Sequence, residues 1–216
     1  MRSTVKPTNN NHKEITMTAD SQGNDVNKVE VPITGAIMLV PYADANKITS
    51  VMIANSKAVP ELPDAYDRTK ACIGLITSDG GPQDARDADD PTEFYQDGYL
   101  LQPSPKLTTA FTAAEENDLT RRITVGEPDT NGVYAVDDIV RDDKWMAYQE
   151  ESLRGGRIRR RAGVVQITGN EPGQSERGSV KGRALTATWQ SDPAYEGHKY
   201  IESIYDPATV PAGTGA

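Results

Sequence analysis

The side chains best suited to chemistry are few in this sequence and poorly matched to one another. It has two histidines, His12 and His198, and one cysteine, Cys72. A zinc site of the HExxH kind needs two histidines one helical turn apart, and a Ser-His or Cys-His nucleophile needs its base nearby; these parts are missing. Cys72, inside Ala71-Cys-Ile-Gly-Leu-Ile76, reads as a small hydrophobe and leaves no intrachain disulfide. Gly173-Gln-Ser-Glu-Arg-Gly178 spaces two glycines like a phosphate loop but continues Ser179-Val180, so no lysine would reach a phosphate. Asp87-Ala-Asp-Asp90 offers oxygens to calcium, yet lacks the glycine and glutamate that complete an EF-hand loop. The pairs Glu115/Glu116, Asp137/Asp138, Asp142/Asp143 and Glu150/Glu151 could supply acid and base for hydrolysis, but neighbours on a strand face opposite sides, so they read as solvated surface. The expectation is a chain that is not an enzyme and uses no cofactor or metal.

The remaining concentrated chemistry is charge. Arg157, Arg159, Arg160 and Arg161 lie almost together, but no aromatics interleave with them as in single-strand binders. The net charge of -9 opposes affinity for nucleic-acid phosphates, although an acidic wall suits DNA that must slide without sticking. Residues 61–100 hold ten acidic and three basic residues, net -7, and residues 141–183 hold ten basic and six acidic, net +4. Unlike patches on one chain favour head-to-tail contacts between copies, which close into rings or propagate as filaments. Arg157, Arg159 and Arg161 are therefore expected to meet Asp84, Asp87, Asp89 and Asp90 of a neighbouring copy.

The elements that must hold these residues read as mostly β. Residues 28–40 form a first strand, with Pro32 marking an edge or bulge. Residues 42–70 make a long connection whose stretch 47–54 could be a strand in a protruding hairpin, and loops of that length are usually functional. Strands are expected at 71–77, 93–101 and 106–112, with an acidic connection over 84–90. A helix over about 114–125 follows, with Leu119 and Ile123 at helical spacing, Thr112 as cap, Glu115 three residues on and Gly126 after its end. Residues 127–143 are ambiguous. A hairpin over 144–161 turns at Gly155-Gly156, and strands follow at 164–168, 178–190 and 198–205. The long strand 178–190 is small, polar and two-sided, which suits a sheet that completes its packing against other copies of itself.

Residues 29–205 should form one domain, between a flexible arm at 1–28 and a flexible tail at 206–216. Lys13-Glu14-Ile15-Thr16 can be encoded by a purine run like a ribosome-binding site, which makes Met17 a candidate native start and leaves 1–16 untranslated. At 36% hydrophobic residues and a mean hydropathy of -0.61, the chain is lean for a monomer and suits burial by association. No apolar run is long enough for a membrane span, and no signal peptide is visible.

The order of these features resembles the major tail tube protein of long-tailed, non-contractile bacteriophages, particularly those of actinobacterial hosts. The segments carrying the likeness are Val29-Glu-Val-Pro-Ile-Thr-Gly-Ala36, Leu75-Ile-Thr-Ser-Asp-Gly80, Glu93-Phe-Tyr-Gln-Asp-Gly98, the passage 107–126, the arm 157–166, and Gly182-Arg-Ala-Leu-Thr-Ala-Thr-Trp189 with Asp192-Pro193. The resemblance implies a β-sandwich or half-barrel with one helix and a long protruding loop, forming hexameric rings stacked into a hollow tube in the virion tail. It implies assembly in the host cytoplasm, with tape-measure, tail terminator and distal-tail proteins as partners. DNA would pass through without specific binding. Four strands from each of six copies would make a wall roughly 48 Å across. The family's inter-ring loop would fall on 42–70, where Lys47, Ile48, Val51 and Ile53 are the candidates. Lys181 and Arg183 suit an acidic DNA channel poorly, so Ala184, Thr186 and Thr188 are the candidate lumen face. The rival readings are a β-sandwich adhesin or carbohydrate-binding module, which would display aromatics in terminal loops, and a polysaccharide hydrolase, which would need facing carboxylates in a cleft.

Overall fold

A computed structural model describes residues 19–137 and 141–209. The candidate start at Met17 and most of the expected tail fall outside these residues. The described residues divide into two units, one ending at Val31 and the other beginning at Pro32. In the first, the Asp20 carboxylate accepts from the backbone N–H groups of Gln22 and Asn24, closing a turn ahead of a 3-10 turn at Val26–Lys28.

The second unit is mainly β. Its strands are β1 (Pro32–Pro41), β2 (Gln83–Asp87), β3 (Thr92–Glu93), β4 (Leu100–Leu101), β5 (Lys106–Ala113), β6 (Lys144–Leu153), β7 (Ile158–Pro172), β8 (Arg183–Gln190) and β9 (Tyr200–Tyr205). One antiparallel sheet runs β1-β6-β7-β8-β5-β2. Fifteen-residue β7 lies along β6 on one edge and carries β9 and then β8 in succession on the other. The ends of the sheet approach each other across an irregular segment. Ile73 N–H donates to the Ile37 carbonyl of β1 (2.9 Å), and Thr77 N–H to the Thr112 carbonyl of β5 (3.0 Å). The sheet is thus a half-barrel.

Two helices accompany the sheet, the short α1 (Arg68–Ala71) and α2 (Asp118–Thr124). The inside of the half-barrel is filled by Ile37, Leu39, Phe111, Trp145, Val165, Leu185, Ala187 and Trp189, with Leu119 and Ile123 of α2 packed among them. Asn117 positions that helix twice over. Its side-chain oxygen caps Thr120 N–H (2.9 Å), and its amide donates to the Cys72 and Ile73 carbonyls, fastening the closing segment. The outer face of β1, β6 and β7 carries a second core of Met38, Val40, Met146, Tyr148, Ala162 and Val164. Because β1 and β6 are covered on both faces, Ile37-Met-Leu-Val40 and Trp145-Met-Ala-Tyr148 read as unbroken apolar runs.

The sequence-based expectations hold for the edge position of β1, for β5 and β9, and for the β6–β7 hairpin, where Gly155 and Gly156 adopt positive φ. Others change. Residues 71–77 hold a four-residue helical turn end and two isolated bridges in place of a strand, because they span a gap between β1 and β5. The acidic connection at 84–90 begins as strand β2, and 164–168 belongs to β7. Helix α2 is capped by Asn117, whereas Glu115 turns away to accept Leu75 N–H (2.9 Å). The long strand expected at 178–190 begins only at Arg183; before it, residues 173–182 form an exposed turn closed by Gly173 N–H to the Gly182 carbonyl (2.7 Å). Residues 93–101 fold into a small hairpin, β3 and β4, reversed at Gly98 with φ +86°.

Candidate assembly surfaces

The arginine block was the leading candidate for contact between copies, and the fold turns most of it inward. Alternation along β7 sends Arg160 and Arg161 to opposite faces. Arg160 is fully buried: its guanidinium donates to the carbonyls of Lys57 (2.7 Å) and Ala58 (2.6 Å) and lies 3.5 Å from the Glu150 carboxylate. Glu150 also accepts from Tyr148 Oη (2.7 Å) and from Arg68 (3.2 Å). Burial, reinforced by that carboxylate, pushes the Tyr148 hydroxyl well above its ordinary pKa.

Arg161 reaches Glu202 of β9 (2.5 Å) and Asp84 of β2. Asp84 accepts in turn from Thr109 Oγ1 (2.6 Å), which accepts from Trp189 Nε1 (2.9 Å). Burial disfavours the Arg161 charge, but the Glu202 and Asp84 carboxylates outweigh it and raise the pKa, so the group stays ionised. Arg159 lies 3.5 Å from Glu151 and 3.8 Å from Glu202. Two of the groups expected to meet across copies, Arg161 and Asp84, therefore pair within one chain. Charges separated along the sequence are brought together by the fold. Arg157 is half-buried beside the β6–β7 turn, Asp87 ends β2, and Asp89 and Asp90 are exposed beyond it.

The 42–70 segment lies flat as a strap on the second core, with no strand inside it. Ile48 and Ile53 are buried there with Tyr66, while Lys47 is half-buried and Val51 is exposed. Hydrogen bonds hold it along its length: Tyr66 Oη to the Asn46 carbonyl (3.2 Å), Ile48 N–H to Tyr195 Oη (3.4 Å), and Ser203 Oγ to the Ile53 carbonyl. At its start, Tyr42 Oη donates to Asp192 (3.0 Å), a buried carboxylate that also accepts from Ala194 N–H (2.9 Å) and pairs with Lys144 (3.5 Å). Burial pushes Asp192 up, but these partners outweigh it and hold its pKa below the usual value. Ile48 and Ile53 thus anchor the strap and are core residues, which leaves Val51 as the exposed apolar residue among the four candidates.

Ala184, Thr186 and Thr188 fall together on the open face of β8, since Leu185, Ala187 and Trp189 take the core side. Register places Thr112, Ala110 and Thr108 of β5 beside them, a patch of small uncharged residues bordered by Glu171 of β7, the strand partner of Ala184. The residues that sequence reasoning missed are on the β3–β4 hairpin. Phe94, Tyr95, Tyr99, Leu100 and Leu101 are all exposed, Tyr95 completely. The signal was present in Gln96-Asp97-Gly98, a hairpin turn in the middle of what reads as one apolar strand.

No family model matches this chain, and no curated protein matches it. Among the described residues, no helix is long and apolar enough to cross a membrane.

Proposed function

We propose that this chain is a structural subunit that polymerises as stacked hexameric rings into a hollow phage tail tube, the conduit for DNA delivery. The observation that carries this reading is a subunit with well-filled cores that still displays five large apolar side chains on one hairpin. A surface of that kind marks an interaction site. The outermost strands of the sheet, β1 and β2, offer edges that neighbouring copies can cover. The resemblance in segment order supplies the tube. Ala184, Thr186 and Thr188, with their β5 neighbours, suit a lumen wall because they offer passing phosphates no cation. In this reading the subunit's partners are further copies of itself and the tape-measure, terminator and distal-tail proteins, its place is the virion tail, and it acts without enzymatic chemistry. Electron microscopy of the concentrated, purified chain tests it: hollow tubes with six-fold end views are expected, and a persistent monomer would overturn it.

Phe94, Tyr95 and Tyr99 also favour a second reading, a carbohydrate-binding module, because exposed aromatic faces can stack on sugar rings. Glycan-array binding that is abolished by Tyr95→Ser, from a chain that never assembles, would select this alternative.

A further inference from the structure

A groove opens on the half-barrel where β1 and the closing segment diverge. It has a volume of about 460 Å³ and is lined by Pro32, Ile33, Gly35, Leu75, Ile76 and Pro82, among others. The closing segment meets β1 at Ile37 and Met38, beyond the groove. Ile33 occupies a β-bulge between Pro32 and Thr34 and is 68% exposed, and Leu75 across the groove is 70% exposed.

We propose that the hairpin 92–101 of one subunit docks into this groove on a second copy of the chain, its Tyr95 tip against Ile33 and Leu75. This rests on the self-assembly reading above, though not on the tube geometry. The hairpin does not fill the groove of its own subunit, since Tyr95, Ile33 and Leu75 all remain exposed. Pro82, at the groove, precedes the first residue of β2, and the hairpin follows the last, so the strand sets the groove and the start of that connection about 13 Å apart. A contact between unlike patches on two copies is heterologous and propagates, as a stacked assembly requires.

The amount of apolar surface is also appropriate. Three aromatic and two leucine side chains at these exposures present roughly 600 Å². A stable interface needs on the order of 800 Å² per partner, so flanking contacts must supply only the remainder. The charged residue lining the groove, Glu151, is paired with Arg159 (3.5 Å), so it faces the acidic hairpin as a neutralised pair. Exposed Arg154, which follows Leu153, the strand partner of Pro32 at the groove's end, offers a cation to Glu93 and Asp97 of the hairpin.

Crosslinking between two single-cysteine chains tests the proposal. Cys72→Ala is made in both; one then carries Tyr95→Cys and the other Leu75→Cys, at positions exposed enough to leave the fold intact. Mixed at assembling concentration with a short bismaleimide, they should yield a crosslink that neither chain gives alone. Self-crosslinking of the Tyr95→Cys chain alone, or no crosslink at all, would overturn the docking. Tubes forming without the mixed crosslink would remove this inference and leave the tube proposal standing. A mixed crosslink in oligomers that are not tubes would do the reverse. Leu75→Asp should weaken association about tenfold or more.

Discussion

The arginine block at 157–161 and the hairpin at 92–101 exchange the places that their compositions suggest. The most basic run supplies a fully buried side chain, Arg160, and another that is 8% exposed, Arg161, whereas an aromatic run is exposed from end to end. Burial therefore depends on what the fold brings alongside. Arg160 meets two carbonyls and a carboxylate, and Arg161 meets two carboxylates, so their desolvation is offset. The hairpin meets nothing comparable within its own subunit. Charge here fastens the chain internally, and the apolar surface of the hairpin is left exposed.

The largest effect should come from breaking the buried side of this contrast. Arg160→Ala leaves the Lys57 and Ala58 carbonyls without their donor and Glu150 without a buried countercharge, and should destabilise the subunit by about 3–5 kcal/mol in urea unfolding. A triple reversal of Arg157, Arg159 and Arg161 to Glu should also abolish assembly, but by unfolding the subunit, since Arg161 would become a carboxylate beside Asp84 and Glu202. Circular dichroism separates that outcome from a lost contact, which would leave a folded monomer.

Next in size is Asp84→Asn. Arg161 keeps Glu202, and Asp84 is partly exposed, so about 1 kcal/mol is expected. A double-mutant cycle with Thr109→Val should show coupling through their hydrogen bond. Asp192 provides a pH signature for the start of the strap. Its folded pKa lies below its unfolded one, so its contribution is full above the ordinary aspartate value of about 3.9 and drains away as pH falls through the lower folded value. Asp192→Asn should flatten that part of the acid-unfolding profile.

How much of this was legible follows from the range of each signal. Alternation and turn chemistry are local, so β5, the Gly155-Gly156 hairpin and β9 could be read directly, as could the edge position of β1 from Pro32. The Asp84–Arg161 pair joins residues 77 apart in sequence, and no periodicity announces it. Ile48 and Ile53 sit in irregular backbone, where burial leaves no repeat, so the strap resembled a free loop. The open face of β8 was legible because its small residues alternate with Leu185, Ala187 and Trp189. Residues 93–101 read as one strand because apolar residues flank the Gln96-Asp97-Gly98 turn on both sides, and nothing local in the run encodes its exposure.

The smallest effect on stability should accompany the largest effect on association. Tyr95→Ser removes a fully exposed side chain, so subunit stability should stay within about 0.5 kcal/mol of the parent. Sedimentation velocity of the parent and Tyr95→Ser chains over a concentration series tests the central claim most directly. The parent should shift to large, fast-sedimenting species while Tyr95→Ser stays a folded monomer; a parent that remains monomeric throughout, or two indistinguishable profiles, would contradict it.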